Sequence, residues 1–129
     1  MANSLWLSGK KWTDNDGLFD TQDTPTAKTG DATLTIAELR TRIVTATSAS
    51  AVALTLPTGT LVDAAFTNLP DGASFDWSVI NLGSSSGAVT MTAGTDHTYV
   101  GSATVAISTS ALFRTRKTAD RTFVTYRVG

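Results

Sequence analysis

The segment SFDWSVINL, residues 74–82, decides the fold of this chain. Its first half places Phe75, Trp77 and Val79 at every second position, with a polar residue between each pair. A spacing of two puts one set of side chains on a buried face and the other in water, which is typical of a half-buried β-strand. The last two apolar residues of the segment leave this phase, which predicts a bulge or burial on both faces.

The same alternation recurs along the chain, and turn residues separate the alternating segments every eight to twelve positions. It predicts strands over 51–56, 88–93, 110–117 and 121–128, and the glycine-serine run 83–87 predicts a hairpin leading into 88–93. Short strands at this spacing are typical of a sandwich or barrel. We therefore predict a mainly β fold, an antiparallel β-sandwich that is jelly-roll-like or barrel-like.

One or two short helices are predicted beside these strands. Thr35 with Glu38 matches a capping box, and the apolar residues after Thr35 fall at helical spacing. A second helical turn is predicted over 58–66, with Thr60 as its cap.

The first quarter of the chain differs from the remainder in composition. We predict an extended N-terminal arm and linker over 1–31 and a β-sandwich domain over 32–129. A polar arm with a few large apolar anchors is suited to docking on another protein, although the same residues could instead cap the core of their own domain. The candidate anchors are Leu5, Trp6, Leu7, Trp12, Leu18 and Phe19.

Composition excludes several classes of protein. A formal net charge of −1 argues against binding the nucleic-acid backbone, so we expect no nucleic-acid partner. No cysteine is present, which excludes disulfides and thiolate metal sites. No segment has the length and apolarity of a membrane span, and the first residues do not have the pattern of a signal peptide.

The charges are unevenly distributed, with aspartates concentrated early and basic residues late. They are either ordinary solvated charges or an acidic arm that pairs with a basic sheet face, within or between subunits. The acidic set is Asp14, Asp16, Asp20, Asp23 and Asp31, and the basic set is Arg114, Arg116, Lys117, Arg121 and Arg127.

The sequence contains no convincing catalytic pattern. His97 is the single histidine, and Asp96 beside it would point to the opposite face of a strand, which is poor geometry for a base and its orienting partner. The segment 14–20 begins like a calcium loop but lacks the spacing and the closing glutamate, so a plain turn is predicted. We predict no catalytic residues, no cofactor and no metal.

Six short segments follow one another along the second part of the chain: Leu34–Leu39, Ala53–Thr58, Gly72–Asn81, Ala88–Gly94, Phe113-Arg114 and Tyr126–Val128. In this order they resemble a β-rich module of tailed-phage virion proteins, and the resemblance extends over about three quarters of the chain, residues 34–129. Modules of this kind occur in head decoration (cement) proteins and in other virion surface proteins, including fibres.

This resemblance implies a non-enzymatic decoration protein that binds the outer surface of the head. We expect a homotrimer that bridges neighbouring copies of the major capsid protein, made in the host cytoplasm and located on the virion. A chain of 129 residues suits a cement protein better than a full fibre. The arm anchors would bind the capsid, a role that we infer and do not carry over from the family, and Arg114, Arg116 and Arg121 would form polar rim contacts.

Other functions remain open at this point. A tail-fibre or receptor-binding module recognising a host glycan would share the fold and could use the loop 83–87. A small polysaccharide-degrading enzyme would need converging carboxylates, for which Asp63, Asp71 and Asp76 are candidates. An adaptor or neck protein of the particle is a further alternative.

Overall fold

The computed structural model describes residues 20–129, and in this part the chain forms ten strands and two short helices. The elements in chain order are β1 Thr26–Lys28, β2 Ala32–Thr33, α1 Ile36–Arg40, β3 Ile43–Ala46, β4 Val52–Thr55, α2 Gly59–Ala65, β5 Ser74–Asn81, β6 Val89–Thr92, β7 His97–Val100, β8 Thr104–Val105, β9 Ser110–Ala119 and β10 Thr122–Arg127. The prediction of a mainly β fold with one or two short helices is confirmed.

The strands form two sheets, and the chain changes sheet at every connection until it reaches β9. One sheet has six strands in the order β1-β3-β5-β9-β10-β7, and the other has four in the order β2-β4-β6-β8. Strands that follow each other in one sheet are therefore separated by a strand of the other sheet. Such crossovers are the connections that parallel neighbours require.

The prediction of antiparallel sheets is wrong, because five of the eight strand pairings are parallel. The strands β1, β3 and β5 run parallel in the larger sheet, and β2, β4 and β6 run parallel in the smaller one. Antiparallel pairing is found in β5–β9, β9–β10 and β6–β8. Among residues 20–129 the pairings describe two open mixed sheets, without the closure of a barrel.

The strand that the sequence marked most clearly is regular over its whole length. The pairings of β5 with β3 and β9 continue to Ile80 without a register shift, so the predicted bulge is absent from β5. Ile80 and Leu82 lie on its outward side, whereas Asn81 takes the buried position between them. The Asn81 amide is satisfied there by bonds to Gly87 O at 3.1 Å and Val105 O at 3.0 Å.

The connection 83–87 is a crossover between sheets, not a hairpin. It leaves β5 in the larger sheet and enters β6, whose neighbours are β4 and β8. The hairpin prediction was wrong because glycine and serine permit a turn of any kind and do not specify which strand pairs with which.

Both helices begin at a threonine with an extended backbone. Thr35 Oγ1 accepts the Glu38 amide at 3.2 Å and Glu38 Oε1 accepts the Thr35 amide at 3.0 Å, which confirms the capping box. Helix α2 is capped by Thr58, whose Oγ1 accepts the Leu61 amide at 3.2 Å, and not by Thr60 as predicted.

The two sheets share one hydrophobic core, to which both contribute buried side chains. The larger sheet supplies residues from β3, β5 and β9, the smaller sheet from β4, β6 and β8, and Leu39 is added from α1. The centre of this core is an aromatic pair, Trp77 and Phe113, whose ring centroids are 4.8 Å apart. Burial of one face of each sheet between the two layers is what the alternating sequence pattern requires.

The chain joins this fold before residue 32, where we placed the start of the domain. Strand β1 lies within the predicted arm and pairs with β3, and the Asp31 carboxylate accepts the Ala53 amide at 2.8 Å. The first part of the predicted arm, residues 1–19, lies outside the described residues.

Candidate interaction surface

The outward side of the larger sheet is a broad face that does not contribute to the core. Along β9, Leu112, Arg114 and Arg116 alternate with buried residues and so point away from it. The same alternation holds on β5, β7 and β10. We call this surface the open sheet face and define it by its larger side chains: Asp76, Ile80, Leu82, Val100, Leu112, Arg114, Arg116, Val124, Tyr126 and Val128.

The open sheet face carries most of the large apolar side chains that are exposed in the described part of the chain. Leu82 is 55% exposed, Val100 50%, Leu112 43% and Val128 51%; the fifth such residue, Leu61, lies on α2. Leu112 and Val128 are adjacent, because the Val128 amide donates to Leu112 O at 2.8 Å. Exposed apolar side chains that share one face are a common feature of surfaces that bind other proteins.

An ion pair crosses the open sheet face between β5 and β9. Arg114 donates to both carboxylate oxygens of Asp76, from Nε at 2.7 Å and from Nη2 at 3.0 Å, which is the bidentate geometry of a strong pair. These bonds lower the pKa of the Asp76 carboxyl. Arg116, the next outward residue, lies across from Ser74 and Val124.

The structure brings two of the three predicted rim residues onto one face. Arg114 and Arg116 share the open sheet face, whereas Arg121 lies in the β9–β10 turn with a φ of 53° and contacts the neighbouring Asp120. The three arginines therefore do not form one rim.

Two other residues of the basic C-terminal set serve the fold itself. Lys117 points inward, and its Nζ donates to Asp63 Oδ1 and to Leu69 O, both at 2.9 Å. Arg127 donates from Nη1 to Thr104 O at 2.6 Å, which ties the end of β10 to β8. The hypothesis of a single basic sheet face is corrected accordingly, because alternation along each strand divides these charges between the two sides.

The single histidine is buried within a chain of hydrogen bonds. His97 Nδ1 lies 2.8 Å from Pro57 O, which can only accept, so Nδ1 carries the proton and Nε2 accepts from Thr125 Oγ1 at 2.7 Å. Thr125 in turn accepts from Thr115 at 2.8 Å, and Thr115 accepts from Trp77 Nε1 at 2.9 Å. Every donor and acceptor in this series of hydrogen bonds, from Trp77 to Pro57, therefore has a partner. Burial lowers the pKa of His97.

This network was not predicted from sequence. His97 stands on the edge strand β7 and is fully buried. The one available signal was that Thr115 and Thr125 are in phase with Phe113 and Phe123, so that two hydroxyls face the core together.

The carboxylates considered for glycoside hydrolysis have electrostatic surroundings unlike those of a general acid. Asp63 is paired with Lys117 and Asp76 with Arg114, and both pairings lower the carboxyl pKa. A general acid needs a raised pKa in order to hold a proton near neutral pH. Asp71 lies in the turn before β5.

An apolar pocket of about 260 Å³ opens beside α1 and α2. It is walled by aromatic and aliphatic side chains and has two arginines among its lining residues. The guanidinium carbon of Arg40 lies 4.5 Å from the centre of the Phe66 ring. The lining residues are Leu39, Arg40, Arg42, Phe66, Leu69, Ala73, Ser74, Phe75 and Phe123.

Three further predictions concern the arm, metal binding and membrane spans. The arm anchors Leu5, Trp6, Leu7, Trp12, Leu18 and Phe19 all lie outside the described residues. Among residues 20–129, no three histidine or acidic side chains are grouped so as to hold a metal ion. Over the same range, neither helix has the length and apolarity needed to cross a membrane.

Comparisons with known proteins identify no relative of this chain. No protein-family model matches it, and neither a curated protein nor a solved structure does.

Proposed function

We propose that this chain is a non-enzymatic decoration protein of a phage head. In this proposal it binds the outer surface of the capsid as a homotrimer and stabilises the shell by bridging neighbouring subunits of the major capsid protein. The assignment to a phage head rests on the resemblance of its β-rich segments to modules of virion proteins. The open sheet face is the single structural observation that supports it most.

The open sheet face has the composition of a protein-binding surface. Apolar residues such as Leu112 and Val128 would supply the buried centre, and Arg116 with the paired Arg114 would supply polar contacts around it. Each trimer would engage several capsid subunits at once, so individually weak patches would add up to firm attachment. The predicted arm would add contacts of its own through Leu5 to Trp12.

A receptor-binding fibre module remains the alternative proposal. Glycan recognition commonly relies on exposed aromatic rings, but Trp77, Phe113 and Phe123 are buried in this fold. Within the described residues the open sheet face offers Tyr126 as its one aromatic ring, which favours a protein partner over a sugar.

Substituting Leu112 with glutamate is expected to weaken binding to expanded heads at least tenfold. The change places a charge at the centre of the open sheet face, and losing one buried anchor costs about 2 kcal/mol or more at such a site. The measurement is cosedimentation of the purified chain with expanded, undecorated heads, over a range of concentrations.

Leu61→Glu is the matched control, because Leu61 is 57% exposed on α2 and lies outside the open sheet face. Both variants should keep the melting temperature of the parent chain, and the control should bind normally. Deleting residues 2–12 should abolish binding while the remainder stays folded. Equal binding by Leu112→Glu and Leu61→Glu would contradict a role of the open sheet face in binding the head. Normal binding by the deletion variant would contradict a role of the arm.

A further inference from the structure

The apolar pocket beside α1 and α2 has room for a small ligand. Its volume of about 260 Å³ exceeds the roughly 150 Å³ of a cavity that can hold benzene. Two rings in its wall, those of Phe66 and Phe75, have centroids 5.6 Å apart, and Leu39 and Leu69 add aliphatic surface. A ring or a short branched alkyl chain that enters this space is removed from water, which is the main favourable contribution to binding in an apolar pocket.

Two arginines make the entrance of the pocket cationic. Arg40 and Arg42 line the pocket and are exposed. The Arg40 guanidinium is held in place, because its Nη2 donates to Ala65 O at 3.1 Å and its central carbon lies 4.5 Å from the centre of the Phe66 ring. Among residues 20–129, Arg40 takes part in no ion pair. Its remaining N–H groups are therefore available to an anion.

The second arginine is only loosely paired. Arg42 Nη1 lies 3.6 Å from Asp20 Oδ2, and the side chains of both residues are more than half exposed. A pair of this kind contributes little and is readily displaced. The position of Asp20 also shows that a carboxylate can approach Arg42 at the entrance of the pocket.

The backbone of Arg42 has a conformation that favours glycine. Arg42 follows the C-cap of α1 with a φ of 67°, the left-handed conformation in which helices commonly end at a glycine. Glycine adopts this conformation without the steric cost that a side chain adds. Arginine here places a guanidinium at the entrance of the pocket at the expense of local stability, and strained residues of this kind are common where proteins hold ligands.

We propose that the apolar pocket binds a small amphipathic carboxylate, a molecule with one aromatic ring or short branched alkyl chain and one carboxylate group. The apolar part lies against Phe66, Phe75 and Leu69, and the carboxylate accepts hydrogen bonds from Arg40 and Arg42. The opposite orientation is disfavoured, because it would bury the charge among apolar side chains. This binding site does not depend on the proposed function.

Phenylpropanoate is a suitable probe, and phenylpropanamide is its uncharged control. In an NMR titration of the full chain, the acid should bind saturably, with a dissociation constant of about 1 mM or below for a ligand of this size. Intermolecular NOEs should join its ring to the methyl groups of Leu39 and Leu69. The amide should bind about fivefold more weakly or worse, because it lacks the charge-assisted bonds. Equal affinity for acid and amide, NOEs to another part of the surface, or no saturable binding would overturn the proposal.

Arg42→Gly distinguishes a role in binding from a role in the fold. The variant should bind the acid about fivefold more weakly or worse, since one of the two charged donors is lost. Its melting temperature should equal or exceed that of the parent chain, because glycine relieves the left-handed backbone. Affinity for the acid equal to that of the parent chain would contradict the assignment of Arg42.

Three further variants test the charges at the entrance. Arg40→Gln should weaken binding of the acid, whereas Asp20→Asn should strengthen it by removing a competing carboxylate. Arg121→Gln is the matched control, because Arg121 is exposed, contacts the neighbouring Asp120 and does not line the pocket. It should bind like the parent chain. If Arg40→Gln and Arg121→Gln bound the acid equally, or if Asp20→Asn bound it more weakly than the parent chain, the proposed orientation of the ligand would be wrong.

Discussion

Replacing Gly59 with alanine is expected to destabilise the protein by about 3 kcal/mol or more, because overpacking against a rigid backbone is at the upper end of such costs. The expected sign is opposite to the usual one, since Gly→Ala within a helix ordinarily stabilises by roughly 0.5–1 kcal/mol. A Cβ on Gly59 would lie 2.2 Å from Arg121 O and 2.4 Å from Asp96 O. Both are main-chain atoms and cannot rotate away.

The close approach at Gly59 holds α2 in place. The Gly59 amide donates to Thr95 O at 2.9 Å, so the first turn of α2 rests on the turn before β7 as well as on the β9–β10 turn. At the other end of α2, Phe66 forms part of the wall of the apolar pocket. A shift of α2 would therefore also disturb the pocket.

Chemical denaturation of Gly59→Ala beside Thr60→Ala measures this effect. Thr60 is the next residue of α2 and is exposed, so its replacement should change the free energy of unfolding by no more than about 0.5 kcal/mol. If Gly59→Ala were as stable as the parent chain, the packing of α2 described here would be wrong.

The second large effect is expected at Thr125, in the buried hydrogen-bond chain. Thr125→Val keeps the shape of the side chain but leaves His97 Nε2 without a donor and the Thr115 hydroxyl without an acceptor. Unsatisfied buried polar groups cost about 1–3 kcal/mol, and we expect a loss in that range. Thr98→Val, at an exposed position on β7, is the control and should be close to neutral. Equal stability of the two variants would contradict the network.

The same network predicts how stability depends on pH. Burial lowers the pKa of His97 in the folded protein, while the unfolded chain takes up its proton near pH 6.5, roughly the value of a free histidine. The stability that neutral His97 contributes to the fold is thus present in full above about pH 6.5 and is lost as the pH falls below it. Protonation would also reverse the bond to Thr125 and leave one of the two threonine hydroxyl protons, on Thr115 or Thr125, without an acceptor.

Unfolding free energies measured between pH 7 and pH 5 test this dependence. The parent chain should lose stability over this range, and His97→Gln should be less stable at pH 7 but should show a flatter dependence. The carboxylates whose pKa is lowered, including Asp63 and Asp76, lose their contribution only at more acidic pH. A parent chain as insensitive to pH as His97→Gln would contradict a buried neutral histidine.

The structural features that depend on local contacts could be predicted from the sequence. The capping box of Thr35 and Glu38 spans three residues, and the β9–β10 hairpin joins neighbouring strands, so both could be predicted from short segments. The cap of α2 was misplaced because Thr58 and Thr60 are both suitable caps, and only the extended backbone after Pro57 selects Thr58.

Sequence was insufficient where distant strands meet. Alternation of apolar and polar residues is the same in parallel and antiparallel strands, so it could not predict that β3 pairs with β5 in parallel. In β10 both sides carry apolar residues, and nothing local decides that Phe123 and Thr125 face the core while Val124 and Tyr126 face out. The open sheet face was missed for this reason, because Leu112 and Val128 have the appearance of core residues until the sheet is assembled.

In our proposal, the chain acts by binding other proteins on the surface of a phage head. Imaging of purified particles that carry a labelled copy of this chain tests it most directly. We expect many symmetry-related copies on the outer surface of the head, each with Leu112 and its neighbours turned toward a capsid subunit. Label confined to the tail, or absent from the particle while the chain processes a small molecule in solution, would contradict the account.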